Sequence, residues 1–441
     1  MKLHKIPPMP PKPNVKAIGM FPAELLQVEG LLGLFMAECD RSAPKRRQPI
    51  YALAMALCVV GALAGRRYRS VTNLRTNIYV AVLGESSSGK GHAQTVASGL
   101  LSKAGLSHYM AGEFQSGSGL TAELVEHPVR LSINDEFGLW LQSVTGDRVP
   151  LHRAEIKKKL MVLFSCANGI HVGNAYADRK MNVRRDIHEP HLCLFGAGTP
   201  DHFYNALQSG ALRDGFIPRF LLFQPDEWYP TRVKAPQMLD ISDAMIEAAQ
   251  TIAGMLPGSG NLGGILQMQH DCTAVALTVP YSADGAAKHD ERADYCEAIT
   301  QRGCVGYSSK ELVGKWEEHA IKLAMIRAIS RDPLSPVMDA KCVEWGWRVA
   351  EHCISTINGM AYRHIADNQQ EADHKMVRNI ISEAGSDGIM KRDVIRRTSR
   401  LDVKRREMII TSLIDGGEVM PEKIAPGAAG GRPGFRYKIA D

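Results

Sequence analysis

The sequence predicts an α/β fold: a parallel sheet with helical regions before and after it in the chain, followed by a small separate domain. Three observations predict this class. Buried-strand patterns alternate with helical segments between residues 77 and 223, as in strands joined by crossover helices. A glycine-rich loop separates the first of these strands from the helix after it. From about residue 236 the pattern becomes mostly helical.

The composition is that of a folded chain with several domains. Its 441 residues correspond to roughly two to four domains. With 45% apolar and 23% charged residues, the chain has enough apolar side chain for a sizeable core, which excludes disorder throughout. The nine cysteines include no CxxC pair, so we expect reduced thiols and a cytoplasmic protein.

The N-terminal part is predicted to be a tail followed by helices. Residues 1–20 are proline-rich and lack the apolar core of a secretory signal, so an extended tail is expected. The helical region 21–70 begins near Pro22 and includes the apolar run 50–65. That run is shorter than the ~18–20 residues that cross a bilayer. We therefore predict a buried helix and expect no membrane partner.

The core region, 71–235, carries the predicted sheet. Its strands are continuous apolar and β-branched runs, which is typical of parallel strands buried on both faces. They are expected at 77–83, 129–133, 192–195 and 220–223, with a helix at 93–101. The region 236–367 is predicted to be mainly helical, with long helices at 309–329 and 337–365, one β-like stretch at 273–279, and a polar linker at 368–373.

The net charge of +6 is concentrated at the end of the chain. Residues 374–441 hold 5 Lys and 9 Arg against 9 acidic side chains, a net charge of +5. The other 373 residues hold 39 basic and 38 acidic side chains. A basic domain on a neutral body favours a polyanionic partner. A solvated, charge-rich helical surface is the alternative, and charge alone does not decide between them.

The strongest motif is GESSSGK at residues 84–90, which has the GxxxxGK spacing of a P-loop between a strand and a helix. Backbone N–H groups and the helix N-terminus would surround the β-phosphate of a nucleotide, and Lys90 would neutralise the β- and γ-phosphates. The candidate nucleotide-binding residues are Gly84, Glu85, Ser86, Ser87, Ser88, Gly89, Lys90, Gly91 and His92.

Gly91 departs from the pattern, because a Ser or Thr hydroxyl that ligates Mg²⁺ normally follows the lysine. The metal must then rely on water, on Ser88 or His92, or on carboxylates elsewhere. Such carboxylates follow the strand 129–133, as Asp135 and Glu136. An apolar strand ending in Asp-Glu is the Walker B arrangement. Both are candidate metal residues: Asp135 would hold Mg²⁺ through water, while Glu136 would orient and activate the attacking water.

These motifs resemble a known group of ATPases. Residues 117–138, GSGLTAELVEHPVRLSINDEFG, resemble the AAA+ ATPases of replicative helicases, especially the minichromosome-maintenance type. Residues 52–92 more closely resemble the primase–helicase ATPases of prophages and mobile elements. The resemblance extends from about residue 48 to 330. It implies that 71–235 is an AAA+ core and that 236–367 is a lid region.

The resemblance implies further site residues. In LCLFGAGTP, Thr199 takes the place of a polar sensor that orients the nucleophilic water. In GFIPRFLLFQPD, Arg219 takes the place of an arginine finger, which acts on the nucleotide of a neighbouring subunit and so implies a ring. Arg213 is the rival for that role. Lys315 takes the place of a second sensor, a residue that stands at the start of a lid helix and contacts nucleotide.

Basic residues before the sensor strand are candidate DNA contacts. Related helicases carry a hairpin there that projects cations into the central channel, where they would track phosphates. The candidates are Arg179, Lys180, Arg184 and Arg185. A solvated charged turn is the alternative. Zinc is not expected at His188, His191 and Cys193, because no second ligand pair accompanies them.

The final domain is predicted to be a winged helix. Helices are expected at 375–384, 391–398 and 403–415, and strands at 418–424 and 435–439 around a Gly/Pro-rich tip. In the usual docking the third helix enters the major groove and the wing contacts phosphate or the minor groove. The candidate contacts are Arg400, Lys404, Arg405, Arg406 and Arg432. A protein–protein or regulatory role for this domain is the alternative.

Together these features predict an ATP- and Mg²⁺-dependent replicative DNA helicase of a phage or mobile element. It would form a homo-oligomeric ring, expected to be a hexamer, with single-stranded DNA in its channel and duplex DNA at the winged helix. Two alternatives stay open. One is a non-helicase AAA+ ATPase, such as a replication initiator, a loader or a defence-associated switch. The other is a DNA-binding regulator controlled by nucleotide.

Overall fold

The computed structural model describes residues 20–145, 149–173, 184–206, 214–254, 276–304, 307–364, 369–424 and 434–440. These residues form two compact units, with the boundary between Gly359 and Met360. The strands of the first unit are β1 (Tyr68–Arg69), β2 (Tyr79–Leu83), β3 (Met110–Ala111), β4 (Val129–Asn134), β5 (Ile170–His171), β6 (Ile187–His188), β7 (His191–Gly198), β8 (Phe220–Phe223) and β9 (Leu277–Thr278).

Its helices lie mostly between and after these strands. They are α1 (Gly30–Arg41), α2 (Pro49–Ala64), α3 (His92–Lys103), α4 (Gly117–Glu126), α5 (Phe137–Thr145), α6 (Leu151–Ser165), α7 (Pro200–Ala206), α8 (Asp243–Ala253), α9 (Ala283–Gln301), α10 (Lys310–Gly314), α11 (Trp316–Arg331) and α12 (Ala340–His364), which crosses the unit boundary. Short 3₁₀ turns at Ala23–Leu26 and Ile217–Arg219 precede α1 and β8.

A five-stranded, all-parallel sheet forms the centre of the first unit, in the order β3-β4-β7-β2-β8. The predicted α/β class is therefore confirmed, as are the four predicted strands, while the edge strand β3 was not predicted. In the register, Leu83 pairs with Gly198 and Asn134 with Gly196. The carboxyl ends of β2, β4 and β7 therefore lie side by side at one edge of the sheet.

Helix α2 is the central helix of the core, and all of its residues after Pro49 are buried. Among the described residues, one segment, α2 with the 3₁₀ turn Gly65–Arg67 after it, is long and apolar enough to cross a membrane, yet 94% of its apolar 18-residue stretch is buried inside the protein. Its Tyr51 lies at the carboxyl end of β2, where its hydroxyl donates to the Leu83 carbonyl. Its Gly61 carbonyl accepts from Thr76, before β2 begins. The predicted buried helix therefore runs antiparallel to the strands.

Helices cover both faces of the sheet because the strand side chains alternate between them. On one face, Gly61 of α2 lies against Cys193 of β7. On the other, Tyr79 of β2 meets Phe164 of α6, with ring centroids 5.1 Å apart. The core thus has three layers, and the loops after the strands are left at the carboxyl edge of the sheet.

The helical predictions were right in type but not in detail. The predicted helix near Pro22 is a 3₁₀ turn, and α1 begins only at Gly30, where the backbone is left-handed (φ +66°) and a Cβ would clash with the Ser330 carbonyl. The predicted helix 309–329 is broken at Lys315 into α10 and α11. Of the β-like stretch 273–279, the described part contains β9, which pairs in parallel with β1.

The second unit contains α13 (Gln369–Ser382), α14 (Lys391–Arg397) and α15 (Val403–Asp415), with strands β10 (Ile389–Met390), β11 (Val419–Ile424) and β12 (Gly434–Ile439). The strands form an antiparallel sheet in the order β10-β12-β11. The predicted second and third helices and both predicted strands are confirmed, and β10 was not predicted. Within the predicted linker 368–373, residues from Gln369 onward instead belong to α13.

The core of this unit contains Val377, Val394, Leu413 and Tyr437 among its buried residues. Within α15, Ile409, Ile410 and Leu413 are buried, whereas Val403 and Met408 are 63% and 57% exposed.

Candidate functional site

Three polar loops meet at the carboxyl edge of the parallel sheet. The loop 84–91 follows β2, Asp135 and Glu136 follow β4, and Thr199 follows β7. Because β7 lies between β2 and β4, these two strands are about 10 Å apart. The backbone N–H of Gly84 donates to the Gly198 carbonyl at 3.0 Å, which joins the first loop directly to the strand of Thr199.

The loop 84–91 has left-handed residues at two alternate positions, a pattern that is also found in anion-binding nests. Ser87 and Gly89 have positive φ values of 66° and 97°, and the Ser88 N–H turns back to the Glu85 carbonyl at 3.1 Å. Successive N–H groups of a backbone that alternates in this way point toward a common centre. Lys90 folds over the same loop, with its Nζ 3.4 Å from the Gly84 carbonyl. The loop and the following helix, α3, therefore offer donors to an anionic group.

Ser88 points into the protein rather than toward this centre. Its side chain is fully buried, and its hydroxyl lies 3.4 Å from that of Tyr51. Tyr51 in turn donates to the Leu83 carbonyl at 2.9 Å, and burial raises the pKa of its phenol. Gly84 has to be glycine here, because a Cβ would lie 2.1 Å from the Tyr51 oxygen. Sequence reasoning missed Tyr51, whose apolar neighbours in α2 suggested only a core role.

His92 also has another partner. Its Nε2 lies 3.1 Å from the Ser42 hydroxyl, and burial lowers the pKa of the imidazole. The two side chains suggested as substitutes for the missing hydroxyl at Gly91, those of Ser88 and His92, are therefore engaged elsewhere. Gly91 itself is exposed, with nothing within 4 Å of a Cβ added there.

Asp135 and Glu136 are exposed at the end of β4 and face the same edge. Glu136 has a left-handed backbone (φ +51°), which is uncommon for a residue with a Cβ. Its carbonyl accepts from the Leu139 N–H at 2.9 Å and so begins α5. This turn directs the chain from the strand into α5 within two residues and leaves both carboxylates outside the core. Carboxylates in such a place suit an Mg²⁺ ion.

Two glycines of β7 bring the carboxylate turn close to the sheet. A Cβ on Gly196 would lie 2.3 Å from the Phe137 ring, and one on Gly198 would lie 3.0 Å from the Gly138 nitrogen. Phe137 comes directly after Glu136, so its contact with Gly196 fixes the position of the turn. Thr199 follows Gly198 and is partly exposed, and its carbonyl accepts the Phe203 N–H of α7.

The segment 224–233, after β8, forms a wall beside the loop. The Tyr229 hydroxyl donates to the Ser86 carbonyl at 3.3 Å, and Arg46 stacks over the Tyr229 ring at 5.2 Å. Gln48, just before α2, donates to the Trp228 carbonyl at 3.3 Å. Sequence reasoning missed this wall. The aromatic pair Trp228-Tyr229 before a proline was the available signal, since large aromatic residues in a loop indicate a packing or binding role.

Arg219 lies at the opposite edge of the sheet. It directly precedes β8, whose Phe220 pairs with Tyr79, the first residue of β2. Between Tyr79 and the loop lies the length of β2, about 13 Å. Arg219 therefore does not reach the loop of its own chain. Its Nη1 donates to the Gly215 carbonyl, while its Nε is buried without a partner among the described residues. The rival Arg213 lies outside the described residues.

Lys315 is not beside the loop 84–91 either, which corrects its assignment to the nucleotide site of its own chain. Its Nζ lies 5.6 Å from the centre of the Phe164 ring, and the Phe164 carbonyl accepts from Asn77, before β2. Lys315 therefore lies at the amino end of the strands. The cause is the packing of α11, whose His319 is bonded to the Pro218 carbonyl at 2.9 Å.

Three cations surround the Phe164 ring: Arg219 at 5.9 Å, Lys315 at 5.6 Å and Lys322 at 3.7 Å. Glu318 joins two of them, at 2.6 Å from Lys315 and 2.9 Å from Lys322. Burial opposes the charge of Glu318, but the two lysines outweigh it and lower the pKa of Glu318 to about 2. Lys322 is itself buried, which lowers its pKa. We call these five residues the Phe164 cluster.

The basic segment before β7 is described only in part. Its ends form an antiparallel pair, β5 with β6. Arg184 and Arg185 are exposed, and Arg184 is paired with Asp186 at 2.8 Å, which lowers the pKa of that carboxyl to about 2. Arg179 and Lys180 lie outside the described residues. His191 and Cys193 are buried in the core, where the His191 ring contacts the Gly61 carbonyl.

The candidate DNA contacts of the second unit do not share one environment. Arg400 and Lys404 are exposed, whereas Arg405 is paired with the buried Asp373 at 2.7 Å. Arg406 is buried and donates to the carbonyls of Thr398 and Leu401, so its assignment as a surface contact is wrong. The available sequence signal was helical spacing, because Arg406 lies three, four and seven residues before Ile409, Ile410 and Leu413 and so shares their buried face. Arg432 lies outside the described residues.

Comparisons with known proteins give no independent assignment. No protein-family model matches the chain, and no curated protein shows significant sequence similarity to it. Functional assignment therefore rests on the geometry of the residues themselves.

Proposed function

We propose that this chain is an ATP hydrolase of the AAA+ type that works as a ring-forming motor on DNA, as a replicative helicase of a phage or mobile element does. One observation carries the proposal. The nest-forming loop with Lys90, the carboxylates Asp135 and Glu136, and Thr199 meet at one edge of a parallel sheet. Three separate stretches of sequence thereby supply the parts that phosphoryl transfer to water requires.

Each residue has a distinct task in this proposal. The N–H groups of the loop and Lys90 bind the β- and γ-phosphates. Glu136 orients the attacking water and accepts its proton, and Thr199 holds that water from the neighbouring strand. Asp135 is the residue suited to holding Mg²⁺, which when bound offsets the negative charge of the triphosphate. Gly91 adds no ligand, so the metal depends on Asp135 and on water.

The position of Arg219 supports a ring. An arginine at the amino edge of the sheet cannot act on a nucleotide at the carboxyl edge of the same chain. In a head-to-tail assembly it faces the nucleotide of the next subunit, and such contacts close into a ring. The family resemblance favours a hexamer. The small C-terminal unit would act as a winged helix that binds DNA.

A second candidate function is a DNA-binding regulator whose assembly is controlled by nucleotide. The feature that favours it is the metal side of the site. Gly91 has no hydroxyl, and the side chains of Ser88 and His92 have other partners. Weak Mg²⁺ ligation slows hydrolysis more than it weakens nucleotide binding, as suits a switch rather than a motor.

ATP turnover with and without single-stranded DNA, measured together with unwinding of a forked duplex, tests both candidates. Lys90→Ala and Glu136→Gln are each expected to lower turnover by about 100-fold or more. Glu136→Gln should retain nucleotide. The matched controls are Lys103→Ala, on the exposed end of α3, and Glu126→Gln, on the exposed end of α4; both should keep wild-type turnover.

The outcomes separate the candidates. DNA-stimulated turnover without strand separation would leave a motor that is not a helicase. Nucleotide binding and assembly without turnover would favour the regulator. Failure of the wild-type chain to bind ATP would overturn both.

A further inference from the structure

The third helix of the second unit is not the basic surface that its sequence suggested. Of its three cations, Arg406 is buried and Arg405 is paired with Asp373. The outward face of α15 is left with Lys404 as its exposed cation, beside the exposed carboxylates of Glu407 and Asp415 and the apolar Met408. Such a face has no net attraction for a phosphate backbone.

The positive charge lies instead on α14 and the turn after it. Residues 391–400 contain one lysine and four arginines against one aspartate, a net charge of +4. That is most of the +5 carried by residues 374–441. We call residues 391–400 the arginine face.

The helix geometry displays these arginines outward. Val394 is fully buried and anchors α14 in the core. Arg392 and Arg396 lie two positions before and after it, which places both on the opposite side of the helix. Their side chains are 83% and 79% exposed, and Arg397 is half exposed.

The carboxylates nearby do not neutralise the arginine face. Asp393 lies 3.8 Å from Arg392 and 3.3 Å from Arg396, and Glu383 lies 3.2 Å from Arg397. Exposed ion pairs of this kind are weak and exchange readily for a stronger anion. Among the described residues, Arg400 has no carboxylate within ion-pair distance. A guanidinium binds a phosphate through two parallel hydrogen bonds, so each of these side chains suits that partner.

The buried Arg406 explains how the turn is held. Its guanidinium donates to the Thr398 hydroxyl at 2.8 Å, to the Thr398 carbonyl at 3.0 Å and to the Leu401 carbonyl at 2.6 Å. These bonds close the end of α14 and fix the turn on which Arg400 is exposed. Arg406 is thus a positioning residue for the arginine face.

We infer that the arginine face, and not the outward face of α15, contacts the phosphate backbone of DNA. The inference rests on the proposed function only in taking the polyanion to be DNA. Protein–DNA contacts with phosphate release counterions, so each one adds about −0.9 to the slope of log affinity against log salt concentration.

The test uses the full chain and fluorescence anisotropy with a labelled DNA duplex and a labelled single strand at several salt concentrations. Arg392→Ala/Arg396→Ala should weaken binding and reduce the slope by about 2. Lys404→Ala/Lys423→Ala removes the same charge from exposed positions of α15 and β11 and should change the slope by less than half as much. Comparing the two labelled ligands shows whether the face prefers duplex or single strand.

Three results would overturn the inference: the reverse order of the two double variants, an unchanged slope in the arginine variant, or no DNA binding by the wild-type chain. An unchanged slope would point to an acidic protein as the partner. ATP turnover without DNA is measured on the same samples and should equal that of wild type in both variants. Wild type and both double variants could all lack ATP turnover while their salt-dependence slopes still differ as expected. That result would contradict the proposed ATPase function and leave the arginine face established.

Discussion

The backbone N–H of Gly84 donates a hydrogen bond to the carbonyl of Gly198 at 3.0 Å. This bond joins the loop 84–91 to the strand that precedes Thr199 through main-chain atoms alone. Both residues are glycines at places where a Cβ would meet a neighbour, the Tyr51 hydroxyl in one case and the Gly138 nitrogen in the other. The spacing between the two loops is therefore set by backbone contact and not by the rotamer of any side chain.

The same close packing predicts the effect of Gly196→Ala. The new methyl group would lie 2.3 Å from the Phe137 ring, so Phe137 must move and shift Glu136 with it. We expect at least about a tenfold loss of ATP turnover and a stability loss of about 1–3 kcal/mol from overpacking. Turnover and thermal unfolding measure the two effects. Gly112→Ala is the control, since nothing lies within 4 Å of its Cβ; equal behaviour of the two variants would contradict the assigned contact.

Gly91→Ser should lower the Mg²⁺ concentration that turnover requires. The backbone at Gly91 (φ −78°, ψ −15°) accepts any residue, and the space around it is open. A serine there adds the hydroxyl that usually ligates the metal. We expect half-maximal turnover at a several-fold lower Mg²⁺ concentration. Gly91→Ala separates this effect from the loss of glycine. The prediction fails if the serine and alanine variants have the same Mg²⁺ requirement.

Arg219→Ala should bind ATP but not hydrolyse it, because in the proposed ring Arg219 acts on the nucleotide of the neighbouring subunit. A mixing experiment shows this directly. Arg219→Ala and Lys90→Ala are each expected to be inactive alone, but mixed rings contain some sites with Lys90 from one subunit and Arg219 from the next. Turnover should therefore recover in part.

Mixing Lys90→Ala with Glu136→Gln is the matched control for that experiment. Both residues serve the site of their own chain, so no mixed ring regains a complete site and turnover should stay low. Recovery in the control, or its absence in a verified mixed ring of the Arg219 and Lys90 variants, would rule out action between subunits.

Glu318→Gln should destabilise the protein by about 3 kcal/mol, because it leaves the buried Lys322 without a counter-charge. Glu317→Gln, at a half-exposed position on the same helix, should cost less than about 1 kcal/mol. Thermal unfolding at neutral pH compares them. Equal losses would show that the Phe164 cluster is not a coupled unit.

The pH dependence of the Glu318 contribution has a definite sign. Its pKa in the folded protein is lowered to about 2 from an ordinary value of 4.5. The stability it adds is therefore present above about pH 4.5 and is lost as the pH falls from there towards 2. The difference in unfolding temperature between wild type and Glu318→Gln should shrink between pH 6 and pH 3, and a constant difference would contradict the ion pair.

The central sheet was predictable because its strands are buried on both faces, and such strands have continuous apolar sequences. The predicted strand 220–223 and the observed strand β8 have the same bounds. The positions of Lys90 and Asp135 follow from short-range spacing to those strands. Such information is local, so a single sequence contains it.

The errors concern contacts that depend on how the elements pack against one another. Lys315 lies at the amino edge because α11 packs there through His319 and Pro218, which are about a hundred residues apart. Arg406 lies on the buried face of α15, where three acceptors of the preceding turn bind its guanidinium. The role of Tyr51 depends on the antiparallel course of α2 over the sheet. The contacts of Lys315 and Tyr51 do not follow from periodicity, because each needs the three-dimensional arrangement first. The inward position of Arg406 does follow from it, since Arg406 lies three, four and seven residues before the buried Ile409, Ile410 and Leu413.

That course of α2 has a mechanical consequence. The helix is about 24 Å long, touches the loop 84–91 through Tyr51 at one end, and touches the segment before β2 through Gly61 at the other. Since it is enclosed on every side, it has no free face toward which to bend. A displacement of Tyr51 is therefore opposed by the packing along the whole helix, as far as Gly61 at the other edge of the sheet.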